Sequence, residues 1–146
     1  MGAISFVIIF VLFISLVAFI GQFISAVRPK LAAKLGFMES ESEVDPLFFA
    51  YERAIALADI LVSWTLPVAC ILFLFNNVNW VYFGIIGGTI FFYYFGLIAF
   101  SRWIMHDKKM RIGTKADIRN AYILAILCGL SGLFMIIFSI ISVGGI

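Results

Sequence analysis

Charge is scarce in this chain. Only 12% of its 146 residues are Asp, Glu, Lys or Arg, about half the share typical of a soluble domain. There is too little polar side chain to keep a globular exterior in water. Histidine occurs once, at His106. Cysteine occurs twice, at Cys70 and Cys128, both within apolar stretches and without Cys-x-x-Cys or metal-ligand spacing. No metal, cofactor or catalytic residue is therefore assigned. A net charge of +2 singles out no partner, and no nucleic acid is expected. Internal repeats are absent, and the chain is too short to add a soluble domain to what its apolar stretches build.

What is abundant is hydrocarbon: 64% of the residues are apolar and 17% aromatic. A bilayer core about 30 Å thick needs roughly 20 apolar residues in a helix. Four stretches qualify, near residues 3–27, 54–75, 80–100 and 121–143. Each must be helical, because a backbone amide in lipid finds its partner only within its own segment. The expected fold is thus all-α, a single transmembrane domain over residues 1–146 built as a four-helix bundle. The first stretch is longer than the apolar part of a signal peptide, and no Lys or Arg precedes it. It is expected to stay as a span.

All ten basic residues fall in two segments. Arg28, Lys30, Lys34 and Arg53 lie between the first two spans; Arg102, Lys108, Lys109, Arg111, Lys115 and Arg119 lie between the last two. The positive-inside rule places both loops in the cytoplasm and both termini outside, in a plasma or inner membrane. Within these loops, Asp45-Pro46 is an N-cap followed by proline at the first helical position. It predicts a helix from Pro46, with Phe48, Phe49 and Tyr51 at the interface. Thr114 and Asp117 have the spacing of a capping box. Basic residues 108–115 beside Trp103 favour anionic lipid headgroups.

In lipid, helices associate through small and polar residues. Ser15, Ala18, Gln22 and Ser25 share one face of the first span. Gly84 and Gly88 form a GxxxG pair continuing to Gly96, and Ala121, Ala125 and Gly129 mark the fourth span, beside Cys128 and Gly132. These faces are expected to build the core, with the glycine stripe as an alternative dimer surface.

Asp59 is the one charge inside a span, and such a residue is by default a functional candidate. It shares a helix face with Glu52, Ala56, Ser63 and Cys70, and lies roughly 7 Å below the cytoplasmic edge at 1.5 Å per residue. Arg102 is the expected ion-pair partner, with Arg53 second. Pro67, in mid-span, is expected to kink the helix and is the candidate hinge. His106 and the acidic run Glu39–Glu43 read as solvated. Cys70 and Cys128 differ in depth by about 13 Å at the helical rise, too far for a disulfide.

The sequence Tyr51-Glu52-Arg53-Ala54 and the four-span outline resemble the membrane-associated eicosanoid and glutathione metabolism family. That resemblance implies glutathione handling, with Tyr93, Tyr94 and Arg102 supplying aromatic and basic groups. The chain departs from the family where polar positions, including an Asn, should follow; Ala54-Ile55-Ala56-Leu57-Ala58 stands there. The function expected first is a non-catalytic one, and two alternatives stay open beside it. The expected function is that of a non-catalytic accessory subunit or oligomerising scaffold, with membrane lipids, other membrane subunits or its own copies as partners. One alternative is a small transporter or channel using Asp59 as coupling carboxylate. The other is a membrane enzyme of lipid or glutathione metabolism.

Overall fold

The computed structural model describes residues 2–144, which form six α-helices and no strand. They are α1 (Ala3–Val27), α2 (Pro29–Leu35), α3 (Pro46–Asp59), α4 (Thr65–Leu74), α5 (Trp80–Asp107) and α6 (Lys115–Gly144). Three of them, α1, α5 and α6, are long and apolar enough to cross a membrane; α4 is a shorter apolar helix.

Helices α5 and α6 run antiparallel through small residues. The glycine at 88 is required by close approach, since a Cβ there would lie 2.7 Å from the carbonyl oxygen of Gly132. One turn away Gly84 faces Ser139, and towards the other end Gly129 faces the Phe95 ring. Ala125 is fully buried on the same side of α6. The glycine stripe therefore packs within the chain over Gly84 and Gly88, which leaves those two positions no room for a second copy. Gly96 does not continue it, because within 4 Å its added Cβ would meet only Phe100 of its own helix.

The second apolar stretch is not the single kinked helix expected from Pro67. Helix α3 ends at Asp59, residues 60–64 form turns, and α4 starts at Thr65. Pro67 is the third residue of α4, where a backbone N–H has no intrahelical partner in any case. It starts a helix rather than bending one. The break is closed by other groups. The Asp59 carbonyl accepts from Ser63 N at 2.7 Å and from Val62 N at 3.1 Å. The Thr65 hydroxyl donates to Val62 O at 2.7 Å, and Trp64 Nε1 donates to Leu61 O at 2.9 Å. Gly87 lets α5 press against the start of α4, where its added Cβ would sit 2.6 Å from Leu66 N.

The two ends of the molecule differ. Near the Asn-rich turn, Trp80 stacks on Phe138 with centroids 5.0 Å apart and takes Phe73 edge-on at 5.1 Å, while Phe134 stacks on Phe138 at 5.6 Å. At the other end the two basic loops are joined. Val44 and Ile112 form an isolated antiparallel bridge, Asp45 N donates to Arg111 O at 2.8 Å, and Val44, Phe48 and Ile112 make a small buried cluster. The expected caps are present. Asp45 Oδ1 accepts from Leu47 N at 2.9 Å, and Thr114 and Asp117 cap each other reciprocally.

A short helix not anticipated from the sequence, α2, ends at Gly36 in the left-handed region (φ 76°), which glycine adopts without a Cβ clash. The chain then folds back so that Phe37 covers Gly21 on α1. That return corrects the reading of the acidic run. Glu41, Ser42 and Glu43 are exposed, but Glu39 is buried.

Candidate functional site

The buried end of this returning loop meets Arg102, and the encounter defines an outer polar cavity of about 140 Å³. Arg102 bonds Glu39 at 2.7 Å and Glu52 at 3.3 Å, and its Nη1 donates to Ile112 O at 3.4 Å. Its guanidinium carbon lies 5.1 Å from the centre of the Phe48 ring. Glu39, Glu52, Arg102 and Asp117 are the charged residues of the wall, three carboxylates against one guanidinium. The Arg102 Nε is buried and unpartnered.

This arrangement overturns the expected pairing of Arg102 with Asp59. Arg102 sits near the C-terminal end of α5, bonded to Glu52, and Asp59 is seven residues further along α3, roughly 10 Å at the helical rise. Arg53, the second candidate, is exposed and does not line the cavity. Among the described residues Asp59 makes no salt bridge. His106 is exposed, as are Tyr93 and Trp103. Cys70 and Cys128 are buried, free and part of the apolar core.

Asp59 lines a second, inner cavity of about 20 Å³ with Ala18, Gln22, Ser63, Ile90, Phe91 and Tyr94. A space of that size holds about one water molecule. Two buried polar atoms face no partner here: Asp59 Oδ2 and Ser63 Oγ. Such atoms are normally satisfied, because leaving one unpaired in a buried setting costs about 1–3 kcal/mol. Their position follows from the break. Asp59 is the last residue of α3 and Ser63 lies within the turn, so both side chains come from backbone that leaves the regular helix.

Between the two cavities, Gln22 Nε2 donates to the Tyr94 hydroxyl. Sequence reasoning placed Gln22 on a packing face and noted Tyr94 only through the family resemblance. The usable signal was Gln22 itself, the one long polar side chain in the first span. Glu39 carried a weaker signal, following directly on the apolar pair Phe37-Met38.

Outside the apolar stretch that begins near Ala121, Asp117 caps α6. The Thr114 hydroxyl and N–H, which donate to its Oδ2 at 2.6 and 2.9 Å, hold its carboxyl below the usual range. Among the described residues no group of three or more His, Cys, Asp or Glu is placed to hold a metal ion. Compared with protein-family models, curated proteins and solved structures, the chain matches none of them.

Proposed function

We propose that this chain is a small transporter or channel that crosses the membrane four times, with Asp59 as the carboxylate that binds a proton or small cation. In this reading both termini lie outside and the two basic loops in the cytoplasm. The second span is the broken unit α3–α4. Support for the topology comes from the joining of the two basic loops at one end of the molecule, through the Val44–Ile112 bridge and the Arg102–Glu39 pair. Ten basic residues at that end and none at the other favour a cytoplasmic placement.

The observation that carries the function is Asp59 Oδ2, buried and unpartnered beside an equally unpartnered Ser63 Oγ at a helix break. Secondary transporters build ion sites from discontinuous helices, where unwound backbone and side chains remain free to bind. A scaffold or accessory subunit has no use for such a carboxylate, whose burial only costs stability. The glutathione reading is disfavoured by the outer cavity, where three carboxylates outnumber one arginine and a peptide anion would be repelled.

The test is flux. The purified chain in liposomes should move protons or sodium under an imposed gradient, and Asp59→Asn should abolish that movement while keeping assembly and native mass. Equal flux in wild type and variant would sink the proposal. So would an inert wild type isolated with a stoichiometric protein partner, which would make the chain an accessory subunit.

A further inference from the structure

The two cavities share two wall residues, Gln22 and Tyr94, and no others. Those two side chains are hydrogen-bonded to each other. The bonded pair therefore stands between the cytoplasmic cavity and Asp59, on the direct route from one to the other. We infer that the Tyr94 hydroxyl relays protons between the cytoplasmic cavity and Asp59, with Gln22 as the partition that stops water and metal ions from following. The inference rests on the reading of Asp59 given above, and narrows its ligand to a proton.

Size and chemistry both favour the proton. The inner cavity, about 20 Å³, holds one water and no hydrated cation. Oxygen ligands in its walls are confined to the side chains of Gln22, Asp59, Ser63 and Tyr94; Ala18, Ile90 and Phe91 add none. A metal ion would have to open the Gln22–Tyr94 bond, whereas a proton only has to cross an oxygen. The phenol oxygen has two acceptor sites and one proton. One site is occupied by Gln22 Nε2, leaving the other to accept a proton from a hydronium ion in the outer cavity, which is left there as water. As it does so, the hydroxyl gives its own proton to the water beside Asp59, which passes one on to the carboxylate, and the phenol ends neutral, its new O–H turning back inward before the next transfer. The carboxylate of Asp59 is then protonated.

The surroundings fit a one-sided entry. Within reach of Asp59's charge are Glu52 on its own helix, Tyr94 on α5 and Cys128 on α6. The residues that α1 and the 60–64 turn contribute to the inner wall, Ala18, Gln22 and Ser63, do not titrate. The outer cavity has an excess of carboxylates, which concentrates protons at its mouth. The opposite end of the bundle is packed with the Phe73, Trp80, Phe134 and Phe138 rings.

The relay is tested by infrared spectroscopy on the full chain in lipid vesicles. The C=O stretch of a protonated carboxyl that disappears in Asp59→Asn identifies the Asp59 band. After transfer to D₂O, the rate at which that band shifts reports proton access. Tyr94→Phe, which fills the same space without the hydroxyl, should slow exchange by about tenfold or more. Gln22→Ala opens the partition to water and should speed it. If Tyr94→Phe fails to fold, the acceleration in Gln22→Ala decides alone. Wild-type rates in both variants would overturn the relay and leave the Asp59 site standing. The absence of any Asp59-dependent band between pH 4 and 9 would remove both. Loss of the band on adding sodium at fixed pH would put a metal ion in the proton's place and overturn the inference.

Discussion

The guanidinium of Arg102 holds the carboxylate of Glu39 at 2.7 Å, with side chains only 3% and 6% exposed. The pair ties the first loop to α5, and Glu52 joins it from α3. Three separate segments thus depend on one cation. Removing that cation leaves two carboxylates in a largely enclosed site, and breaking a buried pair from one side costs about 3–5 kcal/mol. Arg102→Met is therefore expected to lower stability by roughly that amount in thermal unfolding in detergent. Arg102→Lys should recover only part of the loss, since a single ammonium cannot span Glu39, Glu52 and the Ile112 carbonyl as a guanidinium does. A wild-type melting temperature in Arg102→Met would show that the ion pairs contribute nothing.

Gly88 and Gly132 allow α5 and α6 to touch backbone to backbone. An added Cβ would stand 2.7 Å from Gly132 O in one case and 2.5 Å from Gly88 O in the other. Gly132→Ala should force the helices apart and cost about 1–3 kcal/mol, the usual penalty for overpacking. Gly96→Ala is the contrasting variant. Its nearest contact is at 3.8 Å, so the added methyl fits and the gain in helix propensity should be about 0.5–1 kcal/mol. Opposite signs of the two melting shifts are the expected result.

Much of this architecture was legible in the residues. Apolar stretches of spanning length, the Asp45 and Thr114 caps and the small-residue faces each follow from local rules, because helix ends and lipid-facing surfaces are set within a few turns of sequence. The helix break was not legible. Pro67 drew attention to its own position, but the chain breaks at residues 60–64, where Thr65 and Trp64 side chains satisfy the freed carbonyls and Gly87 makes room from another helix. Partner choice was equally hidden. Arg102 and Asp59 looked matched by sign, yet Glu39 reaches Arg102 only because Gly36 turns the loop back over α1, a long-range outcome with no periodic signature.

If side-chain bonds and Gly87 hold the break, Pro67 is not its cause. Pro67→Ala should then leave the bend unchanged. Spin labels at Leu57 and Ile71, both exposed, would report the same distance distribution in wild type and Pro67→Ala by pulsed electron resonance. A longer, narrower distribution in the variant would mean that proline maintains the break. Thr65→Val, which removes the 2.7 Å bond to Val62 O, should cost about 1 kcal/mol and broaden the distribution.

The Thr114–Asp117 cap gives a pH dependence with a definite sign. Hydrogen bonds from Thr114 hold the Asp117 carboxyl below its ordinary range, so the folded state favours the charged form. Its contribution is full above the unfolded value of about 4 and is lost as pH falls through the lower folded value. Asp117→Ala should cost about 1 kcal/mol at neutral pH, and the wild-type and variant melting curves should converge as pH falls below the ordinary carboxylate range. A constant difference across that range would assign the effect to something other than the carboxylate.

Asp59 should behave opposite to Arg102. Its Oδ2 is buried without a protein partner, as is the neighbouring Ser63 Oγ, so the native state carries a desolvation cost that no side chain or backbone group offsets. Asp59→Leu replaces that carboxylate with a side chain of similar volume suited to Ala18, Ile90 and Phe91, and is expected to raise stability by about 1–3 kcal/mol. Ser63→Ala should give a smaller gain of the same sign. A residue that weakens the fold and is needed for flux serves function, whereas one that supports the fold serves structure. Thermal unfolding and liposome flux measured on the same Asp59→Leu preparation separate the two. Higher stability with lost flux is the expected pair of results. A fall in stability would mean that Asp59 is satisfied within the bilayer by a group that stabilises it, and would return it to a structural role.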